Sequence, residues 1–386
     1  MADDDWRALV RRLVAGFTDT REEATLLAML ADATNAQLEW LSLDRHLTHD
    51  LVTSIEDHIA GDPNRRRLLD WAVGRLPNLE PSAQAAWLPA FTGIGDLGRQ
   101  AIVAIMQAAT GDGLRRLLDA VDARGDHKDL AWIVFDHLDD EQREVVLAHI
   151  QEQAAGWVPC VRVICDVDDT LFASINEPVY PGGAMYPGAL AFLARCGQVH
   201  SHSQPITVLT ARPEGQGGVL EDRLRRELAA RGVAAATVLS GRTPWLFGDG
   251  AMAAGKGVNL AHMVALHPAD RFVLVGDSGQ GDVTLARQAL STWPGCVLAV
   301  FIHMVIPSQA TLRSGELDHP DGRIVFFGTY VEAAREALAL GLMSRTDVAA
   351  VIAEARGELA GIGFHTVGQA GEARSALESA IISITA

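Results

Sequence analysis

From residue 6 onward the apolar positions recur at three- and four-residue spacing. Trp6, Leu9, Val10, Leu13, Val14 and Phe17 mark one face of a helix, with Arg7, Arg11 and Arg12 opposite and Asp3–Asp5 at its positive start. The same period predicts helices at about 22–32, 36–43, 48–60, 64–75, 82–90, 97–108, 112–123, 128–138 and 140–154, separated by short turns such as GDPN and GDG. Residues 1–155 therefore read as an all-helical domain, without a period strict enough to name a repeat. After GWVP the texture changes. Short β-branched runs, VRVICD (161–166), ITVLT (206–210), ATVLS (236–240), FVLVG (272–276), VLAVFI (297–302) and IVFF (324–327), alternate with helical stretches. Those helices fall at about 188–196, 216–231, 257–267, 281–291 and 329–340. The alternation predicts an α/β domain over 156–345, a Rossmann-like, doubly wound parallel sheet. Residues 346–386 read as a C-terminal helical tail, with one amphipathic helix after a glycine-rich connection.

Composition narrows the class without changing this division. The 386 residues, 48% apolar and 21% charged, suit a globular protein of two or three domains. No apolar run approaches the roughly 18 residues of a membrane span, and the acidic start MADDDWRALVRRLV is unlike a secretory signal, so a cytoplasmic protein without a transmembrane segment is expected. Cys160, Cys165, Cys196 and Cys296 contain no Cys-x-x-Cys pair, which favours buried free thiols over disulfides or zinc. A net charge of −17 argues against nucleic acid as a partner. The charge is uneven: residues 1–155 hold 27 acidic and 15 basic side chains, net −12, and residues 156–386 hold 22 and 17, net −5. A phosphorylated substrate can therefore approach the second part, and the acidic helical domain is the expected surface for a protein partner.

The chemistry gathers where the runs end. In parallel α/β sheets ligands bind beyond the carboxyl ends of the strands. The stretch VICDVDDTLF (163–172) carries three aspartates within four positions, which repel one another unless a cation sits among them. Asp166 and Asp168 close the first run, Thr210 the second and Asp277 the fourth, and Lys256 lies between the third and the fourth. Of 32 basic residues only Lys128 and Lys256 are lysine, so a lysine at this point stands out. An acidic strand terminus is the bland reading of the aspartates, and the joint presence of the threonine, the lysine and GDSGQGD (276–282) argues against it.

This set, in this order, resembles the haloacid dehalogenase-like (HAD) phosphohydrolases: DVDDT (166–170), Thr210 in VLTAR, Lys256 and GDSGQGD (276–282). The resemblance implies that Asp166 is a nucleophile forming an aspartyl-phosphate and Asp168 a general acid and base. It implies magnesium (Mg2+) held by Asp166, the backbone carbonyl of Asp168 and Asp277, with Asp282 in support. Thr210 would then contact a phosphate oxygen and Lys256 would stabilise the charge of the transferring group, with Thr170, Arg212 and Ser240 as further candidate substrate contacts. Asp169 reads instead as a turn or cap residue.

A closer resemblance is to the phosphatidate phosphatases of the actin-patch type and, more distantly, the lipins. It rests on DVDDT, YPGGAMYPGALAFL (180–193), LTARP (209–213), LSGRTPW (239–245), RFVLVGDSGQGD (271–282) and FFGTYVEAA (326–334). It implies a magnesium-dependent phosphatase acting on phosphatidate or a related phosphomonoester. SGRTPW departs from that family's Ser-Asn-Ser-Pro-Trp, and FIHMV (301–305) lacks its Arg-Asp. Only about 15 residues separate TLF from the helix after Pro187, enough for a flap and too few for a folded lid, so the cap is expected to be minimal and the site open. The alternative is a non-catalytic scaffold with a vestigial phosphatase fold and a partner-binding helical domain.

Two further motifs read as incidental. GAMAAGKG (250–257) nearly spells a P-loop but has Gly257 where a hydroxyl would hold magnesium, and GIGDLG (93–98) follows a helical stretch rather than a strand. His200, His202, His262, His267 and His303 show no metal spacing and read as surface or core residues, and Trp245 as packing.

Overall fold

The computed structural model describes residues 3–16, 18–55, 64–124, 127–174, 176–198, 206–213, 219–230, 237–241, 249–279, 281–305 and 322–385. The chain divides into two compact units, Met1–Trp157 with Ala265–Pro268, and Val158–Val264 with Ala269–Ala386.

The first unit is helical: α1 (Asp3–Val14), α2 (Thr20–Ala31), α3 (Asn35–Ser42), α4 (Arg45–Thr53), α5 (Asn64–Arg75), α6 (Pro81–Phe91), α7 (Gly95–Ala108), α8 (Gly111–Ala123), a π-helical turn (Trp132–His137) and α9 (Asp140–Ala154). Local chemistry sets several of the starts. Asp19 with Glu22, Thr34 with Gln37, and Asp139 with Gln142 form reciprocal capping boxes at α2, α3 and α9. Helix α6 is apolar around its whole circumference and is buried from Ala83 to Phe91, as such a helix must be. The helix expected at 128–138 is the π-helical turn, and GIGDLG spans the entry into α7.

The second unit is built on six strands: β1 (Val161–Cys165), β2 (Thr207–Pro213), β3 (Thr237–Gly241), β4 (Arg271–Asp277), β5 (Val297–His303) and β6 (Ile324–Phe327). They form one sheet in the order β3-β2-β1-β4-β5-β6, parallel at every pairing. Parallel neighbours need crossovers, and α10 (Ala189–Arg195), α11 (Val219–Ala230), α12 (Asp249–Leu266), α13 (Asp282–Thr292) and α14 (Tyr330–Ala339) lie between or after the strands. Every residue of β1 is buried, as expected of a central parallel strand covered on both faces. From β1 the chain steps outward through β2 and β3, then returns to the other flank at β4. The crevice beyond the carboxyl ends of β1 and β4 is thus the place where such sheets bind ligands.

Two elements differ from the sequence expectation in ways that matter. Helix α12 begins at Asp249, well before the expected 257, so Lys256 lies inside a helix rather than on a loop and GAMAAGKG is helical, not a phosphate-binding turn. Glycines at 250, 255 and 257 weaken this stretch as a helix; five alanines and two methionines in the same helix offset them. Residues 346–386, expected as a tail with one helix, form two, α15 (Arg345–Gly361) and α16 (Val367–Thr385). Val348, Val351, Ala355, Leu359, Leu377 and Ile381 of this pair pack into the same apolar cluster as Val161, Val163 and Cys165 of β1. Burial of that face, invisible to a short window of sequence, holds the pair on the sheet.

Candidate active site

Asp166 follows β1 directly, and its backbone N–H still donates to the Val275 carbonyl of β4 at 2.9 Å. Its side chain is therefore placed by the sheet itself. Lys256, fully buried, reaches from α12 and donates to Asp166 Oδ1 at 2.8 Å and to Asp282 Oδ1 at 2.6 Å. Asp282, at the first turn of α13, uses its other oxygen to accept the Asp277 N–H at 3.2 Å. Asp277 ends β4 and accepts the Gly279 N–H on Oδ1, while its buried Oδ2 has no hydrogen-bond partner. Oxygens of Asp166, Asp277 and Asp282 all lie within 4.8 Å of one another. Three segments distant in sequence are thus joined at one end of the sheet.

The electrostatics follow from burial and imbalance. Three buried carboxylates face one ammonium. Burial pushes the Asp166 carboxyl up from its ordinary 3.8 to about 7, against the pull of Lys256 and with a further push from Asp282 and Asp168. Asp277 is raised well above its usual range, first by burial and then by Asp282 and Asp166. Lys256 is raised, because the two carboxylates outweigh the cost of burying its charge. An orphaned carboxylate oxygen beside another carboxyl under strong repulsion suits a hard divalent cation with oxygen ligands. The donor set fits such a cation through Asp166 and Asp277. Both oxygens of Asp282 are already engaged by the chain.

The other expected residues are placed as follows. Thr170 is fully buried, with its hydroxyl 3.4 Å from Asp166 Oδ2. Asp168 is partly exposed in the turn after Asp166. Thr210 is buried inside β2 rather than at its end, at a register irregularity that begins after Leu209 and two residues past the last β1 pairing, Cys165 with Val208. Ser240 lies near the end of β3, where its carbonyl accepts from Asn259 Nδ2 at 3.0 Å. The side chain of Arg212, together with His200, His202 and Trp245, lies outside the described residues. Asp169 takes a turn role: its carboxylate accepts the N–H groups of Ser174 and Asn176 at 2.7 and 2.8 Å.

Residues 186–304 match the family model for the catalytic domain of phosphatidate phosphatase APP1. The match spans less than half of the chain and makes this region similar to a phosphatidate phosphatase catalytic domain. It takes in Thr210, Arg212, Ser240, Lys256, Asp277 and Asp282, and begins after the turn that carries Asp166 and Asp168. The 2.8 Å contact from Lys256 to Asp166 joins the matched region to that turn. No curated protein and no solved structure matches the chain.

Three residues that complete this arrangement had no assigned role in the sequence. A Cβ on Gly276 would lie 2.7 Å from the Cβ of Asp282, so only glycine lets Asp282 approach the end of β4. His303 Nδ1 donates to the Asp169 carbonyl at 2.9 Å, and the Tyr330 hydroxyl donates to the Thr170 carbonyl at 2.8 Å. The glycine was legible as the residue before an acidic strand end. The histidine and tyrosine carried no local signal, because their partners are main-chain atoms far away in sequence.

Among the described residues no helix is long and apolar enough to cross a membrane. Between β1 and α10 the chain forms a short flap, closed by reciprocal main-chain bonds of Ala173 with Ala184 and Gly183 and by a bridge between Phe172 and Met185.

Proposed function

We propose that the second unit is a magnesium-dependent phosphomonoester hydrolase of the HAD-like type, acting through an aspartyl-phosphate on phosphatidate or a related phospholipid. The observation that carries this reading is the bridge of Lys256 between Asp166 and Asp282 beside the unpartnered oxygen of Asp277.

In this reading a carboxylate oxygen of Asp166 forms a bond to phosphorus as the ester P–O bond breaks, and Asp168 gives its proton to the departing alkoxide. Asp168 then takes a proton from water, whose oxygen bonds to phosphorus and releases inorganic phosphate from Asp166. Lys256 and the Thr210 hydroxyl stabilise charge on the phosphoryl oxygens, while Thr170, Arg212 and Ser240 contact the substrate. Asp166 and Asp277, with the Asp168 carbonyl, would hold magnesium, which supplies the charge neutralisation that lets a carboxylate approach a phosphate dianion. Asp282 fixes Lys256 and the main chain of Asp277. The short flap leaves room for a large phosphate ester, which favours a lipid headgroup over a small enclosed metabolite.

The test is hydrolysis of phosphatidate in mixed micelles and of a generic aryl phosphate by the full chain, with magnesium and with a chelator. Turnover that needs the ion and falls by about 10³-fold or more in Asp166→Asn supports the reading. Turnover indifferent to Asp166→Asn removes it, and a folded protein inert to every phosphomonoester returns the balance to a scaffold.

A further inference from the structure

The turn that presents Asp168 is an unusual piece of backbone. Asp169 has φ +59°, and it is the one non-glycine residue with positive φ among those described. Aspartate is one of the few residues that adopt this conformation, where its short side chain bonds locally, and here its carboxylate accepts the Ser174 and Asn176 N–H groups. Both the Asp169 and the Thr170 residues are fully buried, so their carbonyls need partners from elsewhere in the fold. Asp169 receives one from the imidazole of His303 and Thr170 one from the phenol of Tyr330.

His303 itself has little freedom. Tyr186 meets its ring edge-on at 4.3 Å between centroids, Phe327 stacks at 5.1 Å and Tyr330 lies at 6.0 Å. Burial holds its pKa below the ordinary value, against the pull of the Asp169 carbonyl and the Glu177 carboxylate. With a carbonyl as its partner, the Nδ1 contact is one in which the ring nitrogen donates. The main chain of the same residue faces the other half of the site. His303 pairs with Asp277 in the β4–β5 register, and its carbonyl accepts the Ser278 N–H at 2.9 Å. One residue thus grips the Asp168 turn with its ring and the Asp277 loop with its backbone.

We propose that His303 is a positioning residue which sets the separation of the two acid-bearing loops and the aim of Asp168. The inference rests on the phosphatase reading for its catalytic consequence, and on the geometry alone for its structural one. It also gives a role to FIHMV, where this chain departs from the family pattern it resembles.

The experiment compares His303→Phe, which keeps an aromatic ring and loses the donor, with His303→Asn, which keeps a donor near the Nδ1 position and loses the ring. Both are assayed as full chains on phosphatidate with magnesium, after circular dichroism confirms folding. The expected result is kcat lowered about tenfold in His303→Phe with KM within about threefold, and kcat restored to within about threefold in His303→Asn. A packing role gives the reverse order, since asparagine leaves the larger void; that order, or a His303→Phe kcat within about twofold of wild type, overturns the proposal. Should His303→Phe not fold, Tyr330→Phe deletes one oxygen from the same brace and is read in the same way, with an unchanged kcat counting against it. If the wild-type chain hydrolyses nothing, the phosphatase reading falls by itself. Hydrogen exchange then decides the positioning claim: the Ser174 and Asn176 amides should exchange faster in His303→Phe than in His303→Asn, and equal rates overturn it.

Discussion

The two ends of β1 and β4 bury charge in opposite ways. At the amino end Arg162 Nε meets Asp270 Oδ2 at 2.6 Å, and the other carboxylate oxygen accepts the Cys160 N–H at 3.2 Å. Both side chains are under 5% exposed, and in this pair a positive charge meets a negative one. At the carboxyl end three carboxylates, Asp166, Asp277 and Asp282, share the single ammonium of Lys256. One oxygen of Asp277 is left over. Removing an ion from water costs several kcal/mol even after relaxation, so a balanced pair is tolerable as architecture, whereas a surplus of buried carboxylates works against folding. The surplus stands where α/β sheets place their ligands. The comparison teaches that the imbalance of charge, rather than burial or acidity, is what sets the carboxyl end apart from the amino end.

Removing the cation at each end should separate the two roles. The largest effect is expected from Lys256→Met, which deletes the counter-charge that bridges Asp166 and Asp282: kcat on phosphatidate should fall about 10²- to 10³-fold. A Lys256→Met enzyme as active as wild type breaks the comparison at once. Arg162→Leu removes the guanidinium from the buried Asp270 and should cost about 3–5 kcal/mol in urea unfolding, while kcat of the folded protein stays within about twofold. A large loss of kcat at unchanged stability in that variant would erase the distinction between the ends.

The smallest effect sharpens the comparison through pH. Asp166 is raised from 3.8 to about 7 in the folded chain and Asp277 is also raised, so the metal-free fold binds protons that the unfolded chain releases. The stability contributed by that uptake is complete below about pH 4 and disappears as pH rises through about 7. Chelator-treated protein should therefore melt lower at pH 8 than at pH 5.5. Magnesium at about 100 times its dissociation constant should restore about 2.7 kcal/mol at pH 8, roughly 5 °C in melting temperature, and less at pH 5.5, where protons compete for the same oxygens. The Arg162–Asp270 pair, whose carboxylate already faces a guanidinium, should give no such response to the ion.

Much of the fold was legible because its signals are local. The strand runs at 161–166, 272–276, 297–302 and 324–327 lie where β1, β4, β5 and β6 form, and Asp166 and Asp277 lie at or beside the ends that were expected. Lys256 was legible as a residue and not as a position. Its helix contains three glycines in its first half, which weaken the local helical signal, so the stretch before residue 257 did not read as helix although its alanines and methionines favour one. Thr210 was placed at a strand end, yet β2 continues past it to Pro213 through an irregular register that no alternation of side chains announces. The α15–α16 pair was missed as part of the core, because its apolar residues gain meaning only once β1 provides a face to cover.

Residue order alone determined the alternation of strands and helices, the residue types at the strand ends and the resemblance those types carry, since each depends on neighbours a few positions apart. Tertiary structure decided which groups touch. Lys256 meets Asp166 across 90 positions, His303 meets Asp169 across 134 and Tyr330 meets Thr170 across 160. Such contacts depend on the order of strands in the sheet and on the depth of burial. Both are settled by how the whole chain removes its apolar surface from water, so no short segment encodes them.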